Sequence, residues 1–465
     1  MKWTSFLRPS LATGLALILI CIPGGAQTEG GEWQLTNSPI SKLLDNNDNF
    51  SRDGRFLIYD TRDTFGGGIG NGTNIMKVSV TTGLENLVYA PASVFGTRSA
   101  PGLGAASYNP IADEVTFIHG PLLSEVDELG YYGATNRRGG VATGDGAGDI
   151  RFFDCRDVKS EVTPRGAHRG GSHRHEYSAD GKRIGFTYDD ALFTQHGRTI
   201  GFMLPNEKAP CRASHWVALL VAVVPAAESK PGDIERAADD SWVGAAGLMR
   251  AFIGNVKEAD GRVTSSLFVV DVPANVDITT SDSGSKTRYM APPAGTAIRR
   301  LTRTPAAGIV RGSLDGTRIG YFANAADATR QVFIINSHGF DQSADPQMRP
   351  IQATSLPRGA TGGLRWHPTG NSIAVLSDNG VATICVKPGA QFGKMRWLTQ
   401  RGTGVSAADA LVWSRDGKRL AFNRRVPTYD ADGKLVKDAG GNDFRQIFLV
   451  DFPDTDGDGI AEGLQ

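Results

Sequence analysis

RGGSHRHEYSADGKRIGFTYDD, running from Arg169 to Asp190, joins two unlike halves. The second half, SADGKRIGFTYDD, sets an Asp-Gly turn before an alternating apolar strand, which is the strongest short-range signal for a β-hairpin. The first half places His173 and His175 two residues apart, immediately ahead of that turn.

The hairpin half recurs along the chain. NFSRDGRFLIYD from Asn49, SYNPIADEVTFI from Ser107, RGSLDGTRIGYFA from Arg311, RWHPTGNSIAVLS from Arg365 and VWSRDGKRLAFNR from Val412 repeat it. An aromatic residue precedes the Ser position in most copies (Phe50, Tyr108, Tyr177, Trp366, Trp413), with Gly312 the exception. A third strand follows in forms such as Val332–Ser337 and Ile447–Phe452. The turn glycines Gly316, Gly370 and Gly417 follow one another at roughly 50 residues, the period of a four-stranded propeller blade. The long gap between Gly181 and Gly316 leaves room for a degenerate blade, with strands drawn from Ser214–Val224 and Leu267–Val272. The fold expected is all-β: a β-propeller of four-stranded antiparallel blades, seven in number, with six as the alternative. The 58 glycines suit many strands joined by tight turns. Ala226–Asp240 and Thr280–Thr296 are polar and Gly/Pro-punctuated, and read as loops over one face.

Met1–Ala26 has a basic start (Lys2, Arg8), an apolar run from Leu11 to Ile22 and small residues at Gly24, Gly25 and Ala26. This is the pattern of a cleaved signal peptide, so the chain is expected to be periplasmic or secreted, with no membrane span after cleavage. Residues 27–465 then form a single propeller domain ending in a short acidic tail, 453–465. Lys+Arg and Asp+Glu balance at 49 each, which argues against nucleic acid as a partner. Downstream of residue 26 the cysteines are Cys155, Cys211 and Cys385. A Cys155–Cys211 bridge and three buried thiols are both open readings.

When the repeats are aligned on their turns, His175 stands where other blades carry Val310, Leu364 and Leu411. On a regular strand His173 and His175 share a face. His215, in ASHW, is expected to open the inner strand of the following blade, and His119, in FIHGP, to end a second strand at the same rim. The four imidazoles would then surround one mouth of the channel, as metal ligands or as a base. A lone buried histidine is more often hydrogen-bonded core, which is the expectation for His338 and His367, while His168 and His196 read as loop residues. Arg137 and Arg138, with Arg169, could hold a carboxylate. Asp454, Asp456 and Asp458 begin like a calcium loop, but Gln465 stands where the bidentate Glu should be, so calcium is not expected.

The blades resemble those of TolB-type propellers. FIHGP, NRRGG, RGGSHRH with its turn, SHW, WVG (Trp242–Gly244) and AFIG (Ala251–Gly254) are similar to strings of the bacterial YidR-type propeller family, from Trp33 to Phe452. A more distant likeness is to oligogalacturonide lyases, seven-bladed propellers whose manganese strand reads His-Pro-His before its turn. SHRHEYSADG is similar in layout, with Arg174 in place of the Pro and Gly170 where that family has a Gln ligand. What this likeness implies is a divalent metal, manganese or zinc, on His173 and His175.

Two functions follow as expectations. One is an exported, metal-dependent lyase acting on acidic oligosaccharides. His119 or His215 would take the proton, and Arg137, Arg138 and Arg169 would bind substrate carboxylate. The alternative is a non-catalytic, monomeric periplasmic platform that binds a protein or a small ligand.

Overall fold

Each Ser-x-Asp-Gly turn locks itself. The Ser178 hydroxyl donates to Asp180 Oδ1 (2.6 Å) and accepts the Arg183 N–H (3.0 Å). Ser51, Ser313 and Ser414 make the same pair of bonds. The glycine that follows has a φ near +70° in each, for example Gly181 at 71° and Gly417 at 73°, a conformation that suits a residue without Cβ. His367 takes the serine's place in its blade, with Nδ1 to Thr369 Oγ1 at 2.9 Å and Nε2 to the Gly417 carbonyl at 3.1 Å.

In this computed structural model residues 31–63, 68–91 and 102–465 are described. The segment read as a signal peptide lies outside them. Seven antiparallel sheets are arranged as a seven-bladed propeller. Blade one holds Phe56–Asp60, Ile75–Ser79 and Glu85–Tyr89, with its innermost segment tied on by the Leu43–Asp60 and Phe50–Leu57 bridges. The inner strands of the others are Leu103–Tyr108, Gly171–Tyr177, Ile234–Val243, Ala307–Gly312, Gly362–Trp366 and Asp409–Trp413. Blade seven takes its outermost strand from the other end of the chain: Glu32–Gln34 pairs with Phe448–Val450.

Strand alternation places the core in the gaps between blades. In blade seven, Leu420 and Phe422 face blade six while Ala421 faces blade one. Each of the seven gaps has its own cluster of buried apolar side chains, and together these close the ring.

Two expectations fail against this fold. The divergent repeat between Gly181 and Gly316 is blade four, complete with four strands, and residues 234–240 of the stretch read as a polar loop belong to its inner strand, Ile234–Val243. Its turn, Gly244–Leu248, lacks the Asp-Gly signature, and its inner strand is built from Ala237, Ala238, Asp240 and Ser241, all buried although few are strongly apolar. His215 does not open an inner strand. It begins the outermost strand of blade three, His215–Leu219, opposite Pro205.

Candidate functional site

The inner strand of blade three carries a bulge at Arg174, whose φ is 57°. Ala105, Asp239, Gly363 and Ala410 have positive φ at the matching position of other inner strands. The bulge breaks the alternation, so His173 and His175 do not share a face. Pairing with the next strand shifts register across it: His173 lies opposite Thr187 and Glu176 opposite Gly185. His173 Nδ1 meets Thr187 Oγ1 at 3.2 Å. His175 turns into the wall between blades two and three, so close to Gly139 that a Cβ there would lie 2.9 Å from Nε2.

His175 belongs to a buried polar chain. Its Nε2 meets Ser172 Oγ at 3.0 Å, Ser172 donates to Asp154 Oδ2 at 2.6 Å, and His168 Nε2 lies 3.0 Å from the same oxygen. All four side chains are buried. Burial pushes His175 down to about 4. Hydrogen bonding from His168 holds Asp154 at about 2, against a desolvation that works the other way. The constellation has the residue types of a catalytic triad without access for a substrate; it ties the outer edge of blade two to the inner strand of blade three.

The remaining sequence candidates are likewise engaged. His119 is buried, with Nε2 3.0 Å from the Tyr89 hydroxyl and Nδ1 against the Gly120 carbonyl. His215 packs edge-on to Phe153. Arg137 donates to Tyr132 and Asp189, and Arg138 makes two 2.8 Å bonds to Glu125 while lying over the Phe152 ring. Arg169 is buried and holds the loop before it through Thr163 and the carbonyls of Ser160 and Glu161. Among the described residues, the histidines form no three-ligand cluster; the group whose ligand atoms lie within 4.8 Å of one another is Asp454, Asp456 and Asp458. The imidazoles as placed do not fit a manganese or zinc centre.

The open concavity lies at the opposite mouth, where the inner strands run into their turns. It has a volume of about 450 Å³ and is lined by Trp242, Trp366, Trp413, Glu176, Arg311 and Arg365 among others. Its depth is limited by Asn46, which donates to the carbonyls of Ala105 in blade two and His175 in blade three, while its own carbonyl accepts from Arg365 in blade six. One segment thus crosses the axis and makes the channel a blind cup.

The cup wall has a repeated fastening. The indole N–H of Trp242 donates to the Glu176 carbonyl (3.0 Å), that of Trp366 to the Arg311 carbonyl (2.8 Å) and that of Trp413 to the Arg365 carbonyl (3.5 Å). Each tryptophan therefore holds the residue two before the turn in a neighbouring blade. Sequence reasoning compared the column holding His175 and passed over the next one, Glu176, Arg311, Arg365 and Val412. Charged residues at axial positions of inner strands were the signal.

The family model described as "Protein of unknown function (DUF3748)" matches residues 102–215, most of blades two and three. The chain is 29% identical over 419 residues to the uncharacterized protein YidR of Escherichia coli K12, covering 84% of this chain and 94% of that one. Among solved structures it is similar to an oligogalacturonate lyase in complex with manganese, with a TM-score of 0.50 and 12% identity over 93% of this chain and 95% of that one. TolB from Acinetobacter baumannii is a looser likeness, with a TM-score of 0.37 and 12% identity over 76% of this chain and 65% of that one.

Proposed function

We propose that the protein is an exported, monomeric binding propeller that takes a small ligand in the blind cup at the turn-side mouth. The observation that carries this reading is the cup itself: a concave, tryptophan-walled pocket of about 450 Å³ with charged side chains at its base, within the size range of small-molecule sites. Export is supported by the Cys155–Cys211 disulfide, since such bonds persist in oxidising compartments. Among the described residues no helix is long and apolar enough to cross a membrane.

A second reading, a metal-dependent lyase acting on acidic oligosaccharides, draws on the manganese of the similar lyase structure. It would require His173 and His175 to leave their present partners and find a third ligand. One experiment separates the two. The chain from residue 27 onward is recovered from the periplasm, examined by native mass spectrometry, and analysed for metal after incubation with excess manganese and zinc. The binding reading expects a small-molecule adduct that is lost in Trp366→Ala, with metal well below one equivalent. One retained equivalent of metal, together with unsaturated products from polyuronate, would replace it with the lyase reading.

A further inference from the structure

The cup is lined by two arginines with buried guanidinium N–H groups that no protein atom accepts from, and among the described residues neither makes an ion pair with a carboxylate. Arg311 is buried, and its Nη1 reaches only the neighbouring Val310 carbonyl, at 3.5 Å. Its Nε and Nη2 are buried without a hydrogen-bond partner. Arg365 donates to the carbonyls of Leu364 (3.0 Å) and Asn46 (3.2 Å), and its Nε is also buried without a partner. The nearby carboxylates are already committed. Glu176 and Asp240 both pair with Arg250, and Asp48 pairs with Arg415 at 3.3 Å.

Burying a cation without a counter-charge is costly, and a fold tolerates it mainly where something else provides the charge. Arg311 is pushed down chiefly by desolvation and then by repulsion from Arg365 and Arg174. Arg365 is lowered to about 9 by desolvation and the Arg174 charge. Three guanidinium groups thus share the axis, and two of them line the cup. Their backbones are held by the indoles of Trp366 and Trp413, so the strand positions that carry the donors are fixed before any ligand arrives.

We propose that Arg311 and Arg365 form an oxyanion subsite at the base of the cup, and that the ligand carries a carboxylate or a phosphate on a flat or ring-shaped body. The guanidinium fork matches such an oxyanion through paired N–H donors. Trp366, only partly buried, offers apolar surface to the ring, while the buried Trp242 and Trp413 back the wall behind it. This inference rests on the binding reading and names the chemistry that reading leaves open.

The test follows tryptophan fluorescence of the full chain during titration with benzoate, phenyl phosphate and uncharged benzyl alcohol, for the parent, Arg311→Met and Arg365→Met. At least one anionic probe is expected to bind tenfold or more tighter than benzyl alcohol, and the tighter of the two identifies the oxyanion. Arg311→Met is expected to abolish that preference while its thermal midpoint stays level or rises, because an unpaired buried charge has been removed. A midpoint that falls in both methionine variants would make the arginines structural and overturn the proposal. Equal binding of charged and neutral probes, unchanged in both variants, would overturn the oxyanion subsite and leave the cup standing as a pocket. No response to any probe in the parent would remove the cup reading as well.

Discussion

The indole N–H of Trp366 in blade six donates to the backbone carbonyl of Arg311 in blade five at 2.8 Å. The bond joins two blades at the level of the cup and fixes the strand position that bears the arginine. Trp366→Phe keeps the aromatic surface, removes the donor and leaves a carbonyl without its partner. A loss of roughly 1–2 kcal/mol is expected, read as a lower urea midpoint with an unchanged slope.

Gly312 explains the one repeat that lacks an aromatic residue before its turn. A Cβ at Gly312 would lie 2.5 Å from the Trp242 carbonyl oxygen and 2.5 Å from Val243 Cα, so the backbone of blade four occupies the space a side chain would need. Gly312→Ala should therefore cost roughly 2–3 kcal/mol through overpacking. Gly261→Ala is the control: nothing lies within 4 Å of its Cβ, and only its φ of +85° resists substitution, worth about 1 kcal/mol. Urea denaturation of the two variants should rank them in that order. Equal losses would show that blade four moves aside.

The buried histidines make stability depend on pH. Burial lowers His119 and His175 to about 4 each, below the 6.5 expected of an exposed imidazole in the unfolded chain. Between pH 6.5 and 4 the unfolded state binds more protons than the folded one. Stability is therefore full above 6.5 and falls as pH drops through that window, by up to about 1.4 kcal/mol per pH unit for each histidine. Asp154, held at about 2, adds its own loss only below the ordinary carboxylate range near 4. Urea midpoints at pH 7, 5.5 and 4.5 should decline, and His119→Gln should flatten the decline. A midpoint that does not change with pH would mean the imidazoles titrate normally.

Cys155 and Cys211 close a loop of sequence separation 56, and Cys385 is buried and free. Thiol titration of the unfolded chain from residue 27 onward should give one thiol before reduction and three after. Cys155→Ser/Cys211→Ser should lose roughly 2–4 kcal/mol of stability. Three thiols in unreduced protein taken from the periplasm would refute the bridge.

How much of this was legible in the sequence depended on whether a local pattern carried it. The Ser-x-Asp-Gly turns were readable because Ser178 and Asp180 bond within a few residues of each other. Blade four was not, because the middle of Ile234–Val243 buries small and polar side chains such as Ala237 and Ser241, and its large apolar residues, Ile234, Trp242 and Val243, stand only at its ends. His215 was misplaced because SHW resembles GSH, although the two lie at opposite edges of one sheet. The face shared by His173 and His175 was lost to a positive φ at Arg174, which no residue type there announces. The cup arginines stood in the repeat alignment, but their lack of a paired carboxylate depends on which carboxylates Arg250 and Arg415 had already taken.

The pairing of Glu32–Gln34 with Phe448–Val450 joins strands from the two ends of the chain. Contacts so far apart in sequence carry the largest loop-closure cost, so the other blades gain their local pairings sooner and this clasp closes late. Interactions formed after the folding barrier do little to speed assembly, but they slow its reversal. Glu32–Gln34 thus acts as a kinetic latch: it sets how long a closed ring lasts before it opens.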